Sequence, residues 1–252
     1  MTAKTWPGRF EEQVVLVSGA AGGLGRAAAE RLRAEGAILV ATDLAIGAPA
    51  NESVMDSHGA DLLLDVTDPE QWRLVVDHVL ERYGRIDGLL MCHGAQGPEA
   101  PVEDVPYDGW VRTLRVNLDS CFLGLQSVVP VMKRQGYGRI AVLSSIAGRE
   151  GNASMTAYST SKAGVIALVK AVAKETAADG ITVNAVAPSM FDTPLLQHLS
   201  SERNAQLLSR VPAGRIGHPP EFAALATWLL SAECSYTTGQ VLDLTGGRYS
   251  GS

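Results

Sequence analysis

Short, unbroken apolar runs alternate along this chain with longer stretches of helical period. Val14-Val15-Leu16-Val17 is apolar at every position instead of every second one, which is how a strand reads when both its faces are covered. Runs 37–42, 60–64, 86–91, 139–144, 181–186 and 240–244 repeat the pattern and bring the number to seven. Between them, 26–34 has helical spacing, and Asp68-Pro69 supplies an N-cap and first-turn pair for a helix through Tyr83. Buried strands separated by helices require a parallel sheet with helices on both faces. The expectation is an α/β fold, one doubly wound domain over 1–252 with 1–12 as an N-terminal extension.

Two predicted helices, 108–135 and 155–178, are apolar or small on nearly every face, with Trp110, Val111, Phe122, Leu125, Ala163, Ile166 and Val169 spread around them. A helix covering one side of a sheet needs a single apolar stripe. The surplus predicts a homo-oligomer, dimer or tetramer, built on these helices. The alternative is burial beneath the chain's own C-terminal segment.

Composition narrows the function. With 46% hydrophobic and 19% charged residues the chain is an ordinary globular one, which excludes a disordered or fibrous protein. A net charge of −6 argues against nucleic-acid partners and against general attraction to an anionic membrane surface. Cys92, Cys121 and Cys234 are too few and too scattered for a disulfide framework or a zinc site, so no metal is expected and a reducing compartment fits. Neither a signal-like apolar stretch near the N-terminus nor a membrane-length apolar run occurs. A soluble cytoplasmic protein is expected.

After the first strand comes Ser18-Gly19-Ala20-Ala21-Gly22-Gly23-Leu24-Gly25-Arg26-Ala27-Ala28, in which Gly23-x-Gly25-x-x-Ala28 meets the relaxed dinucleotide fingerprint. Glycines allow a tight turn and close backbone approach, and the next helix offers free N–H groups and its positive dipole end to a pyrophosphate. Gly-rich turns are common, but this one lies between a strand and a helix at the start of a βαβ unit, the context a Rossmann-type site requires. Asp43 ends the second strand, where a carboxylate accepts hydrogen bonds from the adenosine ribose hydroxyls and repels a 2′-phosphate. Two unit charges about 4 Å apart interact by roughly 4 kcal/mol at an effective dielectric of ~20. The expected cofactor is NAD, not NADP.

Tyr158 and Lys162 stand four residues apart, on one face of a helix. A free phenol holds its proton until about pH 10. Acid/base work near neutrality therefore needs a neighbouring cation, and an ammonium at that spacing is one. Ser144-Ser145 closes the fifth strand, so Ser145 and Tyr158 can meet at the carboxyl edge of the sheet, where open α/β sheets bind ligands. There Ser145 can hydrogen-bond a substrate oxygen while Tyr158 gives or takes its proton.

In these motifs the chain resembles the short-chain dehydrogenase/reductase family, in its single-domain branch, from about Val14 to Gly247. Ser18-Gly19-x-x-x-Gly23-x-Gly25 is similar to that family's glycine turn, with Ser in place of Thr. The resemblance implies dinucleotide contacts from Gly19, Gly22, Gly23, Leu24 and Gly25, from Asp43 and Leu44, from the adenine-contacting pair Asp65-Val66, and from Gly94. It adds Tyr158 and Lys162 at the nicotinamide ribose, then Pro188, Phe191 and Thr193 beside the carboxamide. It implies a catalytic set of Asn117, Ser145, Tyr158 and Lys162, with Asn117 holding a water in a proton relay. The reaction implied is reversible hydride transfer between NAD and a secondary alcohol or ketone.

Two segments depart from the family pattern. Met91-Cys92-His93-Gly94 stands where the family has Asn-Asn-Ala-Gly, and Pro188-Ser189 where it has Pro-Gly. His93 reads as a ring packed beneath the cofactor in preference to a catalytic base. Substrate residues must come from loops at the same edge: Gln96, Arg149, Asn152, Met155 and His198, with Phe191 and Leu195 beside them. Arg149-Glu150-Gly151-Asn152 is similar to dehydrogenases of polar sugar acids or hydroxy acids, and Arg149 could hold a carboxylate at two points. The alternative is that Arg149 pairs with Glu150 or with solvent. Segment 191–210 is expected to act as a lid. Two other functions stay open: a 3-oxoacyl-carrier-protein reductase, and a dinucleotide-sensing protein without turnover. The first usually uses NADPH and a basic patch, and the second typically lacks the Tyr or the Lys.

Overall fold

The computed structural model describes residues 4–44, 62–193, 206–249 and 251. Among these residues seven strands are present: β1 (Val14–Ser18), β2 (Ile38–Asp43), β3 (Leu62–Leu63), β4 (Gly88–Met91), β5 (Gly138–Leu143), β6 (Ile181–Pro188) and β7 (Val241–Leu244). All pairings are parallel and the order is β3-β2-β1-β4-β5-β6-β7. The chain winds outward one way from β1 and then the other way from β4, so the crevice between their carboxyl ends is the topological switch point. Of the run expected at 60–64, strand pairing is seen at Leu62–Leu63, and residues 60 and 61 lie outside the described set.

The strands are apolar throughout because each face carries helices. On one face Leu16, Leu89, Ile140 and Val183 pack with Trp72, Val128 and Val169. These come from α2 (Pro69–Tyr83), α4 (Ser120–Gln135) and α6 (Thr156–Thr176). On the other face Val15, Val17 and Leu90 meet Phe10, Leu32 and Phe222, the last two from α1 (Gly23–Ala34) and α7 (Pro219–Leu230). Trp72 is fully buried, and its indole N–H donates to the Val66 carbonyl at 2.9 Å, so the ring buries its area without leaving a polar atom unpaired. At the N-terminus of α2 the Asp68 carboxylate accepts from the Glu70 amide at 2.9 Å and Pro69 takes the first helical position.

The helix expected at 108–135 is built in three pieces. After α3 (Tyr107–Leu114) the turn Arg115–Asp119 widens to π-type hydrogen bonding, and α4 then continues. Such a bulge leaves little mark in apolar periodicity, because it is a single widened turn within an otherwise continuous helix. Asn117 sits on it, buried. Between β5 and α6 lies a single turn, α5 (Ala147–Glu150). Among the described residues no helix is long and apolar enough to cross a membrane.

Candidate active site

The parallel register brings the ends of β1, β2, β4, β5 and β6 to one edge. At β1 the chain turns at Gly19 with φ +73°, and a Cβ there would lie 2.5 Å from the His93 backbone nitrogen. A Cβ on Gly25 would strike the Gly19 carbonyl oxygen. Neither position admits a side chain. Gly22 caps α1, whose first residues Gly23 and Leu24 leave their amides facing the turn. This is a cradle of backbone donors at a helix N-terminus, the physical form of an anion site.

Asp43 is held at the rim of that cradle. One carboxylate oxygen accepts the Ala21 amide at 3.0 Å and the other the Leu44 amide at 2.8 Å. Leu44 itself is exposed. Asp65 accepts the Thr67 hydroxyl at 2.7 Å and the Thr67 amide at 2.9 Å, and these two bonds hold its carboxyl below the usual range. Val66 beside it is buried.

At β5 the geometry is built from side chains. Lys162 is 2% exposed, and its ammonium donates to the Leu143 carbonyl at 2.8 Å. Among the described residues no carboxylate pairs with it. An ammonium has three N–H donors, so two remain for other acceptors. The ring of Tyr158 lies 6.0 Å from that nitrogen. Ser144 donates to the Lys162 carbonyl at 2.9 Å, fastening the end of β5 to α6. Ser145 follows, nearly buried, its oxygen accepting the Ala147 amide at 3.1 Å. Gly148 lets α5 lie directly on the Lys162 backbone, with 2.6 Å between a hypothetical Cβ and the Lys162 carbonyl carbon.

Asn117 reaches across from the π turn. Its amide oxygen accepts the Ala95 N–H at 2.7 Å, and its NH2 donates to the Ala95 carbonyl at 2.8 Å and to the Ser161 hydroxyl at 3.0 Å. Ser161 in turn donates to the Tyr158 carbonyl at 2.7 Å. Gly94 completes the ring of groups: a Cβ there would lie 3.2 Å from Asn117 Oδ1 and 3.4 Å from Lys162 Nζ. Beneath it, burial with help from the Lys162 charge pushes the His93 pKa down to about 3. Burial pushes the Cys92 thiol up to about 12 and Cys121 up to about 11, so neither is a nucleophile at neutral pH.

A glycine cradle, an acidic residue at the end of β2 and a buried ammonium beside a tyrosine now stand on one sheet edge. A family model described as enoyl-(acyl carrier protein) reductase matches residues 19–248. The chain is 37% identical over 242 residues to a 2-dehydro-3-deoxy-L-rhamnonate dehydrogenase (NAD(+)) of Sphingomonas sp. (strain SKA58), covering 96% of this chain and 97% of that one. It is 39% identical over 244 residues to a 3-oxoacyl-(acyl-carrier-protein) reductase of Thermotoga maritima, covering 95% and 98%. The crystal structure of levodione reductase superposes with a TM-score of 0.87 at 33% identity, covering 95% of this chain and 98% of that one. The chain belongs to the short-chain dehydrogenase/reductase family. It is an oxidoreductase of the CH–OH class.

Most residues expected at this family's site gather at the edge. Pro188 ends β6 and its carbonyl accepts the Ile146 amide at 3.0 Å, tying β6 to the Ser145 loop. Phe191 is buried against Gly217, and Thr193 follows it, half-buried. A cavity of about 170 Å³ lies behind this segment, lined by Ser189, Phe191, Val211 and Leu244; Ser145, Tyr158 and Lys162 do not line it. Gln96 is half-buried, within 3.3 Å of the Glu99 carboxylate, and the Asn152 side chain reaches the Met155 sulfur at 3.9 Å. His198, Leu195 and the middle of the expected lid lie outside the described residues.

Arg149 is a correction. Its guanidinium donates to the Asp243 carboxylate at 3.2 Å and to the Val241 carbonyl at 3.0 Å, both on β7, and lies 5.5 Å from the Tyr249 ring. It is a tie between α5 and β7, not a free carboxylate grip. Glu150 is not its partner: that side chain pairs with Arg248 at 2.7 Å. Sequence reasoning also missed Ser144 and Ser161. Ser161 lies one helical turn after Tyr158, inside the motif itself, and that spacing was the available signal.

Proposed function

We propose that this protein is an NAD-dependent dehydrogenase that interconverts the secondary alcohol and ketone of a small polar compound, of the sugar-acid or hydroxy-acid class. The observation that carries the reading is Lys162: a buried ammonium that, among the described residues, is hydrogen-bonded to a backbone carbonyl and to no carboxylate, flanked by Tyr158, Gly94 and Asn117. Such a cation calls for acceptors, and a phenolate oxygen and ribose hydroxyls are the acceptors this edge can receive. The residues fit a nicotinamide dinucleotide. A Cβ on Gly19 or Gly25 would strike neighbouring backbone, so the tight turn needs both glycines, and Asp43 is already oriented by two amides.

When bound, NAD supplies the ring carbon that accepts or returns the hydride. Gly19, Gly22, Gly23, Leu24 and Gly25 would hold its pyrophosphate, Asp43 and Leu44 its ribose edge, Asp65 and Val66 its adenine. Gly94, Pro188, Phe191 and Thr193 would hold the nicotinamide half. Tyr158 passes a proton to or from the substrate oxygen, Ser145 orients that oxygen, and Lys162 favours the phenolate electrostatically. Asn117 fixes the loop after β4 and, as in the family it belongs to, would hold a water that carries the proton relay onward from Lys162.

The choice of NAD is supported by Asp43, which opposes a 2′-phosphate, and the polar substrate class by the polar side chains Gln96 and Asn152 in the loops that follow β4 and β5. The Sphingomonas relative, named as an NAD(+) enzyme of a sugar acid, points the same way. A carrier-protein substrate, suggested by the Thermotoga relative, fits less well with Asp43 and a net charge of −6. We also infer a cytoplasmic homo-oligomer. Tyr107, Val111 and Phe122 on α3 and α4 are 79%, 42% and 49% exposed, an apolar surface that a second copy would cover. Comparing NAD and NADP over a panel of sugar acids, hydroxy acids, cyclic alcohols and acyl thioesters tests the reading. Oxidation of an acid with NAD supports it; turnover confined to thioesters with NADPH overturns it.

A further inference from the structure

At the end of β4 the family's two asparagines are replaced by Met91 and Cys92, and His93 stands where the family has Ala. The His93 ring spans two hydroxyls. Nδ1 lies 2.7 Å from Ser18 Oγ at the end of β1, and Nε2 lies 2.7 Å from Ser120 Oγ at the start of α4. The direction of the chain of bonds follows from counting hydrogens. Ser120 spends its only hydrogen on the Val116 carbonyl at 2.6 Å, so its oxygen must accept from His93 Nε2–H. Nδ1 then carries the lone pair and accepts from the Ser18 hydroxyl. The bonds run Ser18 → His93 → Ser120 → Val116, with a neutral ring in the middle.

Both ends of this chain abut the site. Ser18 precedes Gly19, whose turn is packed against the Cys92–His93 backbone, and the Cys92 amide donates to the Ser18 carbonyl at 2.9 Å. Val116 precedes Asn117 on the π turn, and Cys121 donates to the Asn117 carbonyl at 3.2 Å. A π turn leaves carbonyls poorly paired, and Ser120 and Cys121 satisfy two of them. We infer that His93 is a positioning residue that couples the dinucleotide turn to the Asn117 π turn, one ring doing a job that shorter side chains at this position cannot do at both ends.

This inference rests on the dinucleotide reading above, and the test separates the two. Asn places its amide near the position of Nδ1 and reaches Ser18; Gln places its amide near Nε2 and reaches Ser120. The measurements are the NAD+ dissociation constant by titration calorimetry and deuterium exchange of the peptide carrying the Ala95 amide, which is bonded to Asn117 Oδ1. A buried hydrogen bond is worth about a factor of five to ten in such equilibria. His93→Asn should keep NAD+ affinity within about twofold and speed exchange at Ala95 roughly fivefold or more. His93→Gln should do the reverse, weakening NAD+ about five- to tenfold while keeping Ala95 protected. Should the histidine variants fold poorly, Ser18→Ala and Ser120→Ala cut the same links one at a time and should split the two readouts likewise. The same change in both readouts for Asn and Gln, or a change in neither, overturns the coupling. A wild-type protein that fails to bind NAD+ overturns the dinucleotide reading instead.

Discussion

Along the β1–β2 edge, the groups presented to a dinucleotide are main-chain amides, set by Gly19, Gly22, Gly23 and Gly25, with one carboxylate pinned by the Ala21 and Leu44 amides. Along the β5–β6 rim the groups are side chains, each fastened at a defined point: Lys162 to the Leu143 carbonyl, Ser144 to the Lys162 carbonyl, Asn117 to the Ala95 backbone and the Ser161 hydroxyl. The first half needs only that nothing protrude. The second needs partners at defined distances, drawn from four elements. A backbone-built site tolerates exchange of its surroundings, whereas a side-chain site fails when one member is lost. The two halves should therefore respond differently to single substitutions, the second in turnover and the first in affinity.

The sharpest break lies in the side-chain half. Tyr158→Phe removes one hydroxyl from a half-buried ring and leaves the cradle untouched. Turnover should fall by at least ~100-fold, the scale of a lost general acid/base. The NAD+ dissociation constant, measured by calorimetry, should stay within about threefold because the ring and Lys162 remain. Near-normal turnover would remove Tyr158 from the mechanism and erase the contrast. In the backbone half, Asp43→Asn keeps the shape and one acceptor but deletes the charge. The ratio of NADP+ to NAD+ dissociation constants should fall by about 10- to 100-fold, well below the Coulomb limit of roughly 4 kcal/mol at ~4 Å because solvent screens a rim group. An unchanged ratio would mean that the carboxylate serves only to tie Ala21 and Leu44.

What was legible in the sequence follows the same division. All seven strands and the glycine turn could be read because burial on two faces and exclusion of Cβ atoms leave marks at fixed positions. Ser145, Tyr158 and Lys162 could be placed on one edge because helical and strand spacing fix where they emerge, whereas Asn117 was reached through the family resemblance alone. The π turn under Asn117 left no mark, since a single widened turn barely disturbs apolar period. Nor did the fate of Arg149: whether a guanidinium faces substrate or another strand depends on Asp243, distant in sequence and joined to it only by the sheet's outermost strand. His93 shows the limit from the other side. Its departure from the family pattern was plain, but its two hydroxyl partners lie on β1 and α4, and tertiary structure alone brings them together.

The smallest effect is expected where the sequence reading and the structure part. Arg149 and Asp243 have side chains 22% and 23% exposed, so their pair is neither fully buried nor free. Loss of such a pair together with its bond to Val241 costs about 1 kcal/mol, or roughly 2–4 °C in the Tm of a chain this size. Arg149→Ala should therefore lower Tm by that amount, and Asp243→Asn by less, because it removes the charge of the pair but leaves the Arg149 bond to the Val241 carbonyl. Neither should alter KM for an acidic substrate by more than about twofold, since the guanidinium is already spent on β7. A residue gripping a carboxylate would behave otherwise: truncation would raise KM by roughly 30-fold or more, the scale of a charge-assisted pair, with no matching effect from Asp243→Asn. A KM change confined to Arg149→Ala would return that side chain to the substrate rim. Tm losses in both variants with steady KM would place it with the scaffold, and would leave Gln96 and Asn152 as the polar contacts within the described rim.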